Sequence, residues 1–107
     1  MFIERVRIYP ALGKEPELRA VLEEWVKKRQ AQGMEFSLSV QLYAPEGATF
    51  VNSSKFRDLA EVETRRRQNQ ADPAYQAVAA KVASLSRIPA KRSLYEVLVR
   101  YPGKATS

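Results

Sequence analysis

Residues 2–9 read FIERVRIY, setting Phe2, Glu4, Val6 and Ile8 against Ile3, Arg5, Arg7 and Tyr9. A period of two is that of a strand, and Pro10 ends it. Val6 and Ile8 suit a covered face, which leaves Arg5, Arg7 and Tyr9 on the opposite one. From Glu15 the period becomes helical, with Leu18, Val21, Leu22, Trp25, Val26 and Arg29 on one side. Pro16 is acceptable in the first turn, and Glu15 and Glu17 suit the positive end of the helix dipole. Gly33 predicts a left-handed cap. FSLSVQLY, from Phe36, alternates again and predicts a half-buried strand. APEG, with Pro45 and Gly47, is a turn, and ATFVNSS is its antiparallel return.

Helical spacing resumes at Ser54, a suitable N-cap, and runs to about Gln70. Asp72-Pro73 reads as a cap and a first-turn proline that restart a second helix, on which Tyr75, Val78, Ala79, Val82 and Leu85 share a face. RIPAKR is a linker and SLYEVLVRY a last strand. The order βαββαβ predicts a ferredoxin-like α+β fold. Its four-stranded antiparallel sheet carries helices on one face, and its second helical segment is split at Asp72-Pro73. Residues 1–103 are expected to form one domain, with 104–107 as a tail.

Two features of this pattern bear on function. A projection at about 100° per residue puts Phe56, Leu59, Val62, Glu63, Arg66 and Gln70 on one side of the first helix of the pair, with Glu61 and Arg65 pointing away. Charges on an apolar stripe cost free energy unless they are paired or face a wet cavity. Glu63 and Arg66 therefore either line a pocket between helix and sheet or form a salt bridge that snorkels to its edge. In the last strand Tyr95, Val97, Val99 and Tyr101 form an apolar row on the face away from the helices. A second copy packed face to face would cover it, so a homodimer is expected.

Composition narrows the chemistry. The 107-residue chain, 45% apolar and 28% charged, can bury one core. With no cysteine and no histidine it lacks disulfides, thiolate metal sites, the commonest general base, the usual zinc ligand and the usual proximal haem ligand. No apolar run approaches the ~18 residues of a membrane span, and a cytoplasmic location is expected. The net charge of +6 lies wholly in residues 54–107, and between Arg65 and Arg92 seven basic residues face one acid, Asp72. That segment is either a solvated helix face or a field that attracts anions. Nucleic acid is disfavoured as a partner. A βαββαβ RNA-recognition module carries aromatics around a Gly-Phe core on its third strand, whereas ATFVNSS has one aromatic.

RIYPALGK resembles the R-x-Y strand and Gly-Lys turn that open NIPSNAP-type proteins. SKFRDLAEVETRRRQNQADPAYQAVAAK is similar to their second helical segment, in which Asp-Pro precedes an aromatic-led helix. The resemblance covers most of the chain and implies the dimeric α+β barrel superfamily, in which two ferredoxin-like protomers close their sheets into a barrel. That superfamily also holds antibiotic biosynthesis monooxygenases, haem-degrading enzymes, EthD-like proteins and muconolactone isomerases. Arg7 and Tyr9 match the strand motif, and Arg66 falls in the basic helical segment. Asn52 and Trp25 are similar to polar and aromatic residues of cofactor-free monooxygenases, although Trp25 sits mid-stripe and suits the core. The haem-binding relatives' histidine is missing.

The expectation is a homodimer that binds or transforms a small, mostly apolar organic anion between sheet and helices, without metal or other cofactor. Glu63, Arg66, Arg7, Tyr9 and Asn52 are the candidate ligand-binding residues. Any acid–base work would fall to Glu63, Glu96, Tyr9 or Tyr43. The alternative is a non-catalytic homodimer that acts through its surface.

Overall fold

The computed structural model describes residues 1–41 and 47–98. Strand β1 (Phe2–Ile8) leads into helix α1 (Glu15–Ala31), and β2 (Phe36–Gln41) and β3 (Thr49–Phe56) follow. Helices α2 (Leu59–Ala71) and α3 (Pro73–Ser84) precede β4 (Lys91–Glu96). The sheet order is β2-β3-β1-β4, and every pairing is antiparallel. This is the ferredoxin-like α+β arrangement expected from the sequence. Leu42, Tyr43, Pro45, Val99, Tyr101 and the 104–107 tail lie outside the described residues.

Alternation along the strands sorts the two sheet faces. Val6 and Ile8 of β1 and Phe50 of β3 point under the helices, where they form the core with Leu18 and Leu22 of α1 and with Leu85. The register sets Ile8 opposite Phe50, Val6 opposite Asn52 and Glu4 opposite Ser54. The covered face is thus apolar at one end and turns polar towards the other. Among the described residues no helix is long and apolar enough to cross a membrane.

Local signals set most boundaries. Gly33, at φ +83, follows the last turn of α1. Its N–H donates to the Gln30 carbonyl, and the Met34 N–H donates to that of Arg29. These two bonds make a Schellman motif, which needs a left-handed residue where the glycine stands. Asp72 is extended, as a residue before proline must be, and its carboxylate accepts from the Ala74 N–H at 2.9 Å. One residue therefore ends α2 and caps α3.

Two boundaries differ from the sequence expectation. Helix α2 starts at Leu59 and not at Ser54, because the Asp58 carboxylate caps the Glu61 N–H while Ser54 stays buried on β3. Strand β4 takes in Lys91 and Arg92, which pair with Arg7 and Val6, so the linker is shorter than RIPAKR.

Candidate functional site

Between α1, α3 and the covered sheet face lies a cleft of about 400 Å³, within the usual range for small-molecule sites. Val6 and Asn52 form part of its floor, Leu22, Trp25 and Arg29 of α1 one wall, and Tyr75, Val78 and Val82 of α3 the roof. The expected face of α3 is the one that meets the cleft. None of its residues is fully buried: the face borders a hollow, with Val82 against the core and Tyr75 against Trp25 as its packed contacts.

Charge gathers at one end. Arg29 is only 6% exposed, its guanidinium lies 4.5 Å over the Trp25 ring, and its Nη2 donates to Asn69 Oδ1. The Arg65 guanidinium lies 5.0 Å from the Phe56 ring centre and 5.6 Å from that of Phe36. Loss of water lowers its pKa from the ordinary arginine value, and the charge of Arg29 lowers it further. Two cations thus share this end of the cleft, each against aromatic rings, and repel one another. The neighbouring Glu4 carboxylate is engaged by Arg92, whose Nη1 donates to it at 3.4 Å while Nη2 donates to the Tyr75 hydroxyl at 2.8 Å.

Two polar atoms of residues that line the cleft stand out. Among the described residues, Arg29 Nε and Asn52 Oδ1 are buried with no hydrogen-bond partner. Such groups cost about 1–3 kcal/mol each when left unmade, and a small turn of either side chain would present it to a ligand that brings an acceptor or a donor.

The sequence-derived candidates divide. Asn52 lies in the cleft. Glu63 and Arg66 have side chains 60% and 57% exposed and form a loose pair at 3.6 Å, so they are not on the covered stripe. The projection had run from Phe56, which belongs to β3, through Leu59, the first residue of a helix whose phase is set by Asp58. The true inner face carries Val62, Arg65 and Asn69, and counting from Asp58 would have found it. Arg66 borders only a smaller depression beside Gln70. Arg29 stood on the expected face of α1 without being singled out, because an arginine ending an apolar stripe reads as a snorkelling side chain.

Arg7 points to the open sheet face. There Tyr95 is 42% exposed, with the Arg5 guanidinium 5.3 Å from its ring centre. Hydrogen bonds from Ser93 and then Arg7 lower the Tyr95 pKa. Tyr9 lies just beyond β1 and is buried, with the Arg87 and Lys91 cations 5.7 and 5.5 Å from its ring centre. The backbone explains this burial, since the Arg87 N–H donates to the Tyr9 carbonyl and folds the β4 approach over the ring. Val97 donates its N–H to the Met1 carbonyl, and Val99 and Tyr101 lie outside the described residues. Of the acid–base candidates, Glu63 and Glu96 are exposed, and Tyr43 lies outside the described residues.

No family model matches the chain, and no curated protein matches it either. Solved structures do. An uncharacterised NIPSNAP-domain protein from Burkholderia xenovorans superposes with a TM-score of 0.77 at 16% identity, covering 95% of this chain and 99% of its own. A NIPSNAP-family protein of unknown function from Agrobacterium tumefaciens gives 0.74 at 20% identity, covering 95% and 92%. A protein described as an antibiotic biosynthesis monooxygenase gives 0.69 at 11% identity, covering 92% and 100%. At these identities the likeness is one of fold. The chain carries the ferredoxin-like fold common to NIPSNAP-domain proteins and antibiotic biosynthesis monooxygenases, as its resemblance to that superfamily implied.

Proposed function

We propose that the protein binds a small, mostly apolar organic anion in the cleft between α1, α3 and the sheet. The observation that carries this reading is the buried Arg29 Nε–H, which has no acceptor and sits beside a second guanidinium in an apolar hollow. An anionic oxygen would satisfy the donor and relieve the repulsion between Arg29 and Arg65, through charge-assisted hydrogen bonds. The anchor is then Arg29 with Arg65, and not Arg66. The fold shared with a protein described as an antibiotic biosynthesis monooxygenase fits a small-molecule role.

We also propose that the working form is a homodimer, closed through the open sheet face. Support comes from Tyr95, half exposed on that face in a row where β1 contributes Ile3 opposite it.

The chain's single tryptophan lines the cleft and reports occupancy directly. Matched anionic, neutral and cationic compounds are titrated against Trp25 emission, with melting temperature measured in parallel. Ligands of the folded state raise the melting temperature by mass action. The anions should bind and stabilise. Equal binding of the neutral or cationic analogues would overturn the reading.

A further inference from the structure

The cleft has one polar end and one apolar end, and three elements agree on its direction. Along β1 the lining runs from Glu4 through Val6 to Ile8; along α1 it runs from Arg29 through Trp25 to Leu22. On α3 it runs from Tyr75, bonded to Arg92, through Val78 to Val82 and Ala83. Arg65 and Asn69 join the polar end, and Ile88 and Pro89 close the apolar one. At the apolar end, the Arg87 cation is turned against the Tyr9 ring.

The dimensions follow from the elements. Glu4 to Ile8 spans about 13 Å of strand, and Tyr75 to Ala83 about 12 Å of helix. A volume of about 400 Å³ lies at the lower end of the usual range for small-molecule sites, and the length suits an extended chain of about ten carbons. A molecule with its charge at the centre, or with polar groups spread round a ring, would set polar atoms against Val82 and Ile88. A single charged head with a thin apolar tail leaves none there. Asn52 lies partway along, opposite Val6 on the floor, and its buried Oδ1 asks for a donor at that depth.

We infer that the ligand is a straight-chain carboxylate of medium length, near ten carbons, with a hydroxyl close to its head group. The carboxylate accepts from Arg29 Nε and faces Arg65, the hydroxyl donates to Asn52, and the tail runs under α3 towards Val82 and Ile88. This rests on the anion-binding reading above and names the class of anion.

The test uses the full-length chain, Trp25 emission, and octanoate, decanoate, dodecanoate, 3-hydroxydecanoate, decanol and 2-naphthoate, all below their micellar concentrations. Affinity should rise about fourfold per methylene from octanoate to decanoate and level off at dodecanoate, where the cleft is full. 3-Hydroxydecanoate should bind several-fold tighter than decanoate, and Asn52→Leu should erase that difference alone. Arg65→Gln should weaken every carboxylate about tenfold or more while sparing decanol. Val82→Phe, which shortens the apolar end, should move the optimum to octanoate, a shift in rank that mere loss of stability does not produce. If 2-naphthoate binds more tightly than the aliphatic acids and needs Arg65, the chain-like ligand is refuted and the anion site stands. If no anion binds, both fall. Affinity that climbs steadily with length and ignores all three substitutions would be surface adsorption, and would also overturn the proposal.

Discussion

Replacing Arg65 with methionine separates a charge kept for a ligand from one kept for the fold. This guanidinium has two ring contacts, with Phe56 at 5.0 Å and Phe36 at 5.6 Å, each worth about 0.5–1 kcal/mol at a partly wet site. Against that stand its lost hydration and the repulsion of Arg29, which together lower its pKa. Because the group is still partly in water, screening trims this penalty to a similar size. Methionine keeps an unbranched stem over the two rings and removes the charge. The terms nearly cancel, so urea unfolding should show a stability within about 1 kcal/mol of wild type, with an unchanged m-value. On melting that is a shift of no more than about 8 °C in either direction. Anion binding should fall by about 1.5–3 kcal/mol, the worth of a hydrogen bond to a charged group, or roughly ten- to hundredfold in Kd. A loss of more than about 2 kcal/mol in the empty protein, with affinity for anions intact, would refute the reasoning and make Arg65 a structural residue.

The exposed Glu63–Arg66 pair should show a coupling of less than about 1 kcal/mol in a double-mutant cycle, not the ~3–5 kcal/mol lost when one partner of a buried pair is removed. Asp72→Ala deletes the cap on the Ala74 N–H and should cost about 1 kcal/mol in urea unfolding; it should also blunt any ligand-induced rise in melting temperature by loosening the roof of the cleft. Light scattering should give a mass about twice the 12.2 kDa of one chain. Val97→Lys should reduce it to one chain by placing an unpaired charge in the dimer interface, and a monomeric wild type would reject the dimer.

What the sequence revealed and what it hid have separate causes. The element order was legible because strand and helix periods differ sharply, and because Gly33 and Asp72-Pro73 leave few backbone alternatives. The face of α2 was not, since it depends on which of several adjacent cap candidates starts the helix. Ser53, Ser54 and Asp58 all carry suitable oxygens, and only the pairing of Ser53 with Arg5 and of Ser54 with Glu4 in the sheet removes the two serines from the choice. An error of four residues in the start left Glu63 and Arg66 on the inner face in place of Arg65 and Asn69. The hollow itself left no local signal. Val78 and Val82 space as core residues would, and only the packed distances between layers decide whether such a row meets side chains or space. Tyr9 shows the same limit, because alternation placed it on the open face and a long-range bond to Arg87 folded chain over it.

Helix α3 is a beam pinned at two ends over a void. Asp72 fastens one end, and at the other Leu85 plugs the core while its carbonyl accepts from the Ala11 N–H. Between those pins no residue is wholly buried; Tyr75 meets Trp25 and Arg92, Val82 packs on the core and Lys81 reaches Glu17, so lifting the beam breaks these contacts and leaves the sheet and α1 intact. Such an opening costs far less than unfolding the domain, and the amides of α3 should trade their hydrogens for deuterium well before those of α1. A guest need not thread a narrow mouth: it enters as the beam rises and holds it down afterwards. Occupancy would then be written in the exchange rates of one helix while the sheet beneath keeps its own.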